Sequence, residues 1–481
     1  MRERRVLHYL LLLGLLISAM TAGLSCSLWE NRGTEGSDPA AKQTTESPGS
    51  AQTSSPAGKP TIASSKRAKP NVLLITIDTL RADALGCYGN PRVKTPNLDA
   101  LARQGVRFSI TIAQYTQTNP SHASIFTGTY PATHRLRSQG SDKLPPSPPT
   151  LAEVLGSNGY TTAGIYSWPC FDPEWGLGRG FAHYKAAYLK APQEDKDWIR
   201  SFEGRADLTT DSALHWLREK PSAPFFLWVH YQDPHIPYSP PSPFDTMYDE
   251  PRCEECPDGG WDTHDRVMAG ESFSDTEIAH LLALYHGEVS FADREIGRLL
   301  EEMSKASLMN DTVVIVTADH GEGFGENGGW WHPWVHYNTV LRVPLIMSYP
   351  AALPAGLVID TVVRSIDIMP TILDLADVSL SRQIEGRSLL PIITGLEKAD
   401  KTAAFAQGPF DASTTMVTGE WKLIRDNVKG KLELYNLKRD PEERNNLASA
   451  DPQQASRLGQ QLRAWMDSHG IKPEAFGFPR G

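Results

Sequence analysis

Three short apolar runs of the chain, NVLLITI, FFLWV and TVVIV, each lie just before residues that can bind a metal ion. Runs of this length are typical of buried parallel strands. In a parallel sheet, ligands bind at the carboxyl ends of the strands. Carboxylates and imidazoles that meet at that edge predict a metal centre. The residues concerned are Asp78, His230, His235, Asp319 and His320.

The segments between these runs alternate between strand-like and helix-like patterns. Residues 95–104 and 275–303 are helix-like, and residues 161–165 are strand-like. This alternation predicts an α/β fold with a large, mostly parallel sheet flanked by helices on both faces. We expect this catalytic domain to span residues 70–400.

The pattern changes from about residue 403 onward. Short strand-like segments at 415–417, 421–424 and 432–435 are followed by an amphipathic helix at 453–469. The spacing predicts a small antiparallel C-terminal subdomain, with bounds 401–481.

The first 25 residues have the composition of a signal peptide. Arg2, Arg4 and Arg5 precede the apolar stretch Tyr9–Met20, which is too short to favour a spanning helix. The sequence up to Cys26 resembles a bacterial lipobox, although its leucine lies one position closer to the cysteine than usual. The resemblance implies a lipid on Cys26. The alternative is an ordinary cleaved peptide with an incidental cysteine.

Residues 26–69 are rich in Ser, Thr, Pro, Gly and Lys and poor in large apolar residues. Such a composition predicts a disordered tether. Together with a lipidated Cys26, it predicts an exported protein that is anchored to a membrane of the bacterial cell envelope, in the periplasm or at the cell surface.

The chain has 481 residues and a formal net charge of −10, with a sequence pI of about 5.8. An acidic chain without a basic run argues against nucleic acid as a partner. Export implies an oxidising compartment. Cys253 and Cys256 form the only CxxC pair, so a four-cysteine zinc site cannot be completed and a local disulfide is favoured.

Several short motifs follow one another in an order that points to a family. Together, over residues 70–447, they resemble the sulfatase family of the alkaline phosphatase superfamily. The resemblance implies an alkaline-phosphatase-like fold and a metal-dependent hydrolase of ester bonds. The motifs are Asp78-Thr79-Leu80-Arg81, Thr118-Asn119-Pro120-Ser121-His122, Thr127-Gly128-Thr129-Tyr130-Pro131, Asp233-Pro234-His235, Asp319-His320-Gly321-Glu322, Arg342-Val343-Pro344 and Glu433-Leu434-Tyr435.

One motif departs from the family pattern. Sulfatases make their formylglycine nucleophile from Cys or Ser in a C/S-x-P-x-R motif, whereas this chain has Thr118 and His122 at the ends of that motif. Threonine is not a formylglycine precursor, so no formylglycine is expected. The T-x-P-x-H run also resembles the nucleotide pyrophosphatase/phosphodiesterase branch, where a threonine alkoxide attacks phosphorus.

The predicted ligand set of the first metal is Asp78, Thr118, Asp319 and His320. The resemblance implies an all-oxygen Ca²⁺ site, but an imidazole in the set favours Zn²⁺ or Mn²⁺, with Ca²⁺ as an alternative. The alternative to a metal site is that Asp319-His320 only caps the N-terminus of a helix.

A second metal is left open. Asp233, His235 and His332 are candidates to bind it. Alternatively His235 and His332 contact the substrate's oxygens directly. His122 is expected to orient Thr118 or to bind the anion.

His230 and His336 rank lower, because a histidine after an apolar strand is often structural. Trp330, Trp331 and Trp334 flank His332 and form either an aromatic wall for the leaving group or loop packing.

These observations predict a hydrolase of phosphate or phosphonate mono- or diesters with Thr118 as nucleophile, acting on a small-molecule, glycan-linked or lipid-linked ester. A formylglycine hydrate expels sulfate by collapsing to the aldehyde, whereas a threonine sulfate has no such exit. A phosphothreonine can be hydrolysed in line. The alternatives are a sulfuric-ester hydrolase without formylglycine, an envelope phosphoryl-group transferase, and a non-catalytic glycan-binding protein.

Overall fold

The computed structural model describes residues 69–190, 202–249, 253, 255–397 and 402–472. The predicted signal peptide, Cys26 and nearly all of the predicted tether lie outside these residues, so they stay predictions. In the part of the chain that is described, no helix has the length and apolar character needed to cross a membrane. The described residues before Arg266 and from Phe273 onward form one compact unit, which contains the whole candidate site.

The centre of this unit is an eight-stranded sheet with the order β12-β2-β11-β8-β1-β7-β3-β4. Only β11 runs against the other strands, since both of its pairings are antiparallel. The sheet is therefore mostly parallel, as the sequence predicts. Its strands are β1 (Asn71–Ile77), β2 (Val106–Ile112), β3 (Thr161–Tyr166), β4 (His183–Ala186), β7 (Phe225–Tyr231), β8 (Thr312–Ala318), β11 (Arg342–Ser348) and β12 (Leu357–Arg364).

The three strands predicted from the apolar runs, β1, β7 and β8, lie side by side at the middle of the sheet. Every residue of each is buried, so both faces of the sheet are covered here. In the parallel register, Ile77 is paired with both Tyr231 and Ala318. The strands therefore end together, and the residues that follow them meet at one edge.

Helices surround the sheet. The longest, α7, begins with a capping box between Ser274 and Glu277 and has Lys305 in its last turn. The helices are α1 (Pro96–Gln104), α2 (Thr118–Thr127), α3 (Pro131–His134), α4 (Leu151–Ser157), α5 (Ala206–Arg218), α6 (Trp261–Met268), α7 (Asp275–Lys305), α8 (Asn338–Leu341), α9 (Ile368–Leu375), α10 (Leu390–Ile393) and α11 (Pro452–Ser468).

The C-terminal region contains a separate antiparallel sheet, which confirms that part of the predicted fold class. Its order is β13-β14-β15-β16, and helix α11 packs on it through Leu458 and Leu462. The first strand was not predicted, because AFAQ is too short to show a clear alternation. The boundary at residue 400 stays a prediction. The strands are β13 (Ala404–Gln407), β14 (Ser413–Thr418), β15 (Trp421–Asp426) and β16 (Leu432–Asn436).

The remaining described strands form two small pairs: β5 (Tyr188–Lys190) with β6 (Phe202–Gly204), and β9 (Gly323–Phe324) with β10 (Trp330–Trp331). The predicted local disulfide joins Cys253 and Cys256.

Candidate active site

The carboxyl ends of β1 and β8 bring together three of the predicted metal ligands. One ligand atom from each of Asp78, Asp319 and His320 lies within 4.8 Å of the others. His320 Nε2 is 3.4 Å from Asp319 Oδ2 and 4.0 Å from Asp78 Oδ1. All three side chains are fully buried. We call Asp78, Asp319 and His320 the acid–imidazole cluster.

Several atoms of this cluster are buried without a hydrogen-bond partner. They are both carboxylate oxygens of Asp78, Asp319 Oδ2 and His320 Nε2. Burial raises the pKa of Asp78 and raises that of Asp319 to about 7, while it lowers the pKa of His320 to about 4. Buried carboxylates that face each other without donors need a cation to stay ionised. The residues therefore fit a divalent metal ion, and the mixed oxygen and nitrogen set suits a transition metal.

Thr118 is the first residue of α2, a helix whose ten residues are all buried. Its Oγ1 is buried and has no hydrogen-bond partner, while its backbone N–H donates to Gln139 Oε1. The N-terminus of a helix favours anions because its first N–H groups are not used within the helix. Ser121 ties the same helix to the cluster by donating from Oγ to the Asp319 carbonyl, at 2.6 Å.

His122 lies one turn further along α2, behind Thr118. Its Nδ1 is 2.8 Å from the Thr118 carbonyl oxygen and its Nε2 is 2.9 Å from Thr76 Oγ1. The Thr118 carbonyl can only accept, so His122 Nδ1 carries a proton and donates to it. Burial lowers the pKa of His122 to about 3, so the ring is neutral. Its Nε2 therefore accepts from Thr76 Oγ1, which itself accepts from Trp228 Nε1.

This hydrogen bonding bears on the role of His122. Both ring nitrogens are used inside the protein, and the side chain is fully buried. Both predicted roles of His122 stay predictions, and these contacts favour the orienting one.

Two further imidazoles, those of His235 and His332, lie beside the cluster. The ring centroid of His332 lies 4.3 Å from that of His320 and 5.4 Å from that of His235. His235 Nδ1 lies 2.6 Å from the Ile236 carbonyl oxygen, and burial lowers its pKa. The side chain of His332 is 12% exposed, whereas that of His320 is fully buried. The structure therefore places His235 and His332, two of the three predicted catalytic histidines, next to the cluster.

Glu322 is the main site residue to which the sequence analysis assigned no role. Its Oε1 accepts from His332 Nδ1 at 3.0 Å, and its Oε2 accepts from the hydroxyl of Tyr238 at 3.2 Å. Burial raises the pKa of this carboxyl to about 7. In the sequence, Glu322 is marked only by its position at the end of the Asp319-His320-Gly321-Glu322 motif. That position does not predict that His332, ten residues later, is its partner.

Two further predicted residues do not lie with the cluster. Burial raises the pKa of Asp233 to about 7, and its Oδ2 is buried without a hydrogen-bond partner. The backbone N–H groups of Asp233 itself and of Ala206, at the start of α5, act in the opposite direction. Its role as a ligand of a second metal stays a prediction. His336 is bonded to Thr415 Oγ1 and Ser413 Oγ, each at 2.7 Å. It is a structural contact to the C-terminal sheet.

Thr79, directly after Asp78, has a strained backbone. Its φ is +53°, a left-handed conformation that a β-branched residue rarely adopts. Its N–H lies 3.3 Å from Asp319 Oδ1, and its carbonyl accepts from Tyr285 at 2.9 Å. These contacts hold the two metal-binding strands in register.

The tryptophans near His332 divide into two groups. Trp331 is buried and its ring is stacked at 5.8 Å on that of His264. Trp334 is 46% exposed. Trp330 is half-buried, with its ring centroid 5.1 Å from that of Phe273 and 5.9 Å from that of Trp331. Trp331 therefore packs within the loop, and the aromatic wall stays a prediction for Trp330 and Trp334.

Comparison with known families agrees with this geometry. The family model for sulfatases matches residues 70–378, and the model described as "N-sulphoglucosamine sulphohydrolase, C-terminal" matches residues 325–469. The first match covers the main sheet and all of the site residues described above.

Individual relatives fall into two chemical classes. An arylsulfatase of Clostridium perfringens is 27% identical over 80% of this chain and 91% of its own length. The phosphonate monoester hydrolase of Silicibacter pomeroyi is 25% identical, with a TM-score of 0.67 over 83% of this chain and 96% of that one. That of Agrobacterium radiobacter is 23% identical, with a TM-score of 0.68 over 83% and 96%.

Proposed function

The chain belongs to the sulfatase family, and we propose that it is a metal-dependent hydrolase of phosphate or phosphonate esters with Thr118 as its nucleophile. Membership of the family makes it a hydrolase of sulfuric or phosphoric esters. The observation that carries the finer proposal is the Thr118 hydroxyl, which is buried without a partner at the N-terminus of α2.

The acid–imidazole cluster and the Thr118 hydroxyl would hold the metal. A divalent cation bound there supplies positive charge that lowers the pKa of the hydroxyl and stabilises the oxygens of the transferred group. The proposed ion is Zn²⁺ or Mn²⁺, because His320 contributes a nitrogen ligand.

The side chains of this site then have separate tasks. Thr118 Oγ attacks phosphorus, the bond to the ester oxygen breaks, and the proton lost by Thr118 is passed to the leaving oxygen. Water then cleaves the phosphothreonine and releases phosphate or phosphonate. His122 donates to the Thr118 carbonyl and so fixes the position of the nucleophile.

We assign to His332 the task of donating a proton to the leaving oxygen. Glu322 accepts from its Nδ1, which leaves Nε2 as the nitrogen that exchanges a proton, and a carboxylate on Nδ1 stabilises the imidazolium that forms. The partial exposure of His332 is consistent with access by a substrate. We assign His235, whose ring centroid lies 5.4 Å from that of His332, to a non-bridging oxygen of the substrate.

A second candidate function is sulfuric-ester hydrolysis without formylglycine. It is favoured by the arylsulfatase among the relatives. Against it stands the chemistry of Thr118, because a threonine sulfate cannot break down by forming an aldehyde.

The test combines elemental analysis of the purified protein with a turnover assay on four substrates. These are p-nitrophenyl phosphate, bis(p-nitrophenyl) phosphate, a p-nitrophenyl phosphonate ester and p-nitrophenyl sulfate. The proposal is supported if the protein contains zinc or manganese and its kcat/KM is higher on a phosphorus ester than on the sulfate ester. Turnover of the phosphorus ester should be lost in Thr118→Ala. A higher kcat/KM on the sulfate ester supports the second candidate. The intact mass of the peptide that contains residue 118 checks that it carries an unmodified threonine.

A further inference from the structure

His230 is a fully buried histidine on the metal-binding edge that the proposed mechanism does not use. It lies near the end of β7, in register with Thr76 of β1. Its Nε2 has no hydrogen-bond partner and lies 3.5 Å from Asp78 Oδ2.

The hydrogen bonds of Ser167 fix where the proton of this ring is. Ser167 Oγ is 2.7 Å from the His230 carbonyl oxygen and 3.2 Å from His230 Nδ1. Two oxygens at 2.7 Å need a proton between them, and the hydroxyl is the only donor of the two. Ser167 therefore donates to the carbonyl and accepts from Nδ1–H. In the neutral ring, Nε2 carries a lone pair.

That lone pair faces a carboxylate oxygen in a dry environment. The neighbouring rings are Phe171, His122 and Trp228, with centroids 4.5, 5.2 and 6.0 Å away. None of them supplies a donor, since both nitrogens of His122 and the indole N–H of Trp228 are already engaged. Two acceptors that face each other at this distance repel each other unless a cation lies between them.

We propose that His230 is an additional ligand of the divalent metal, through Nε2, on the Oδ2 side of Asp78. His320 Nε2 lies 4.0 Å from the other oxygen, Oδ1, so each oxygen of Asp78 has an imidazole nitrogen near it. The 3.5 Å between His230 Nε2 and Asp78 Oδ2 is a separation at which two ligand atoms could share one divalent cation. The inference rests on the metal site of the proposed function and adds a ligand that the sequence ranked below the others.

The first test measures zinc affinity by competition with a chromophoric chelator, in wild type, His230→Gln and His336→Gln. His336 is the matched control, because it is buried and hydrogen-bonded at both nitrogens, but its partners are Ser413 and Thr415 rather than residues of the cluster. We expect the zinc Kd to rise at least about tenfold in His230→Gln and to be unchanged in His336→Gln. Ser167→Ala, which removes the partner of Nδ1, is expected to raise Kd by a smaller factor.

The second test uses wild-type protein, so it does not depend on whether a variant folds. X-ray absorption at the zinc edge of wild-type protein loaded with one equivalent is expected to show two imidazole nitrogens, one from His320 and one from His230. A single imidazole, or an unchanged Kd in folded His230→Gln, would overturn the assignment while leaving the metal site standing. Wild-type protein that binds no zinc or manganese overturns both this inference and the metal of the proposed function.

Discussion

The imidazole of His332 is stacked on that of His320, with ring centroids 4.3 Å apart and ring planes inclined by 25°. The two rings have different partners. His320 Nε2 faces the carboxylates of the acid–imidazole cluster, whereas His332 Nδ1 donates to Glu322. The ring that we propose to bind the cation is thus stacked on the ring that we propose to transfer a proton.

The first prediction concerns His332. His332→Gln is expected to lower kcat by about 10²–10⁴ on alkyl esters, because the leaving alkoxide then receives no proton. The loss should be smaller on p-nitrophenyl esters, whose leaving group needs little protonation. The measurement is kcat on both ester types. His215→Gln, an exposed histidine of α5, is the control. Equal losses on both esters would contradict a role in protonation.

The second prediction separates Glu322 from His332. Glu322→Gln keeps the size of the side chain and removes its charge, so the imidazolium of His332 is no longer stabilised. We expect a decrease in kcat that is smaller than that of His332→Gln, and little further decrease in the double variant, because both act through one proton transfer. Losses that multiply in the double variant would mean that Glu322 acts independently.

Much of this site could be predicted because it follows from strand ends. Asp78 and Asp319 come directly after apolar runs, and parallel strands end at one edge, so their meeting needs only local sequence. The surroundings of Asp233 could not be predicted in the same way. It also follows a buried strand, but its carboxyl lies by the N-terminus of α5, a helix that begins 27 residues earlier in the chain.

Contacts between distant side chains could not be predicted. The bond from Glu322 to His332 depends on the small β9–β10 pairing, which folds residue 332 back toward residue 322. Which nitrogen of His230 carries the lone pair depends on its contact with Ser167, 63 residues away in the chain. Neither pairing leaves a periodic or spacing signal in the chain.

The third prediction concerns metal removal. A chelator is expected to lower the Tm of wild-type protein, because Asp78 and Asp319 are then buried carboxylates without a counter-ion. At about 100 times its Kd, a bound metal adds about 2.7 kcal/mol to the free energy of unfolding. Asp319→Asn should lose most of this chelator response, and Asp211→Asn, at an exposed aspartate, should keep it. The readout is Tm with and without chelator. An equal response in both variants would exclude Asp319 as a ligand.

The fourth prediction restores the arginine of the family motif. His122→Arg is expected to lower Tm, because a larger, charged side chain must fit a fully buried site against Phe171, whose ring centroid is 4.7 Å from that of His122. Overpacking alone costs about 1–3 kcal/mol. His122→Gln, which is neutral, should lose less. An unchanged Tm with a gain in sulfate ester turnover would show that the site accepts the sulfatase arrangement.

The last prediction is a pH dependence of stability at the C-terminal end of α11. His469 Nε2 lies 2.8 Å from Glu385 Oε1, while Oε2 of the same carboxylate accepts from the Tyr130 N–H at 2.7 Å. Burial lowers the pKa of His469, but the hydrogen bonds to Glu385 and to the Trp465 carbonyl outweigh it, and the net pKa is raised above 6.5.

Because the folded protein has the higher pKa, it binds this proton more tightly than the unfolded chain does. The stabilisation is therefore complete below pH 6.5 and is lost as the pH rises through the folded-state pKa. We expect the Tm difference between wild type and His469→Gln to be largest near pH 5.5 and to shrink above neutrality. Glu385→Gln should reduce the same difference, because it removes the charge that holds the proton. A Tm difference that is constant from pH 5.5 to 8.5 would show that His469 contributes only by packing against Trp465.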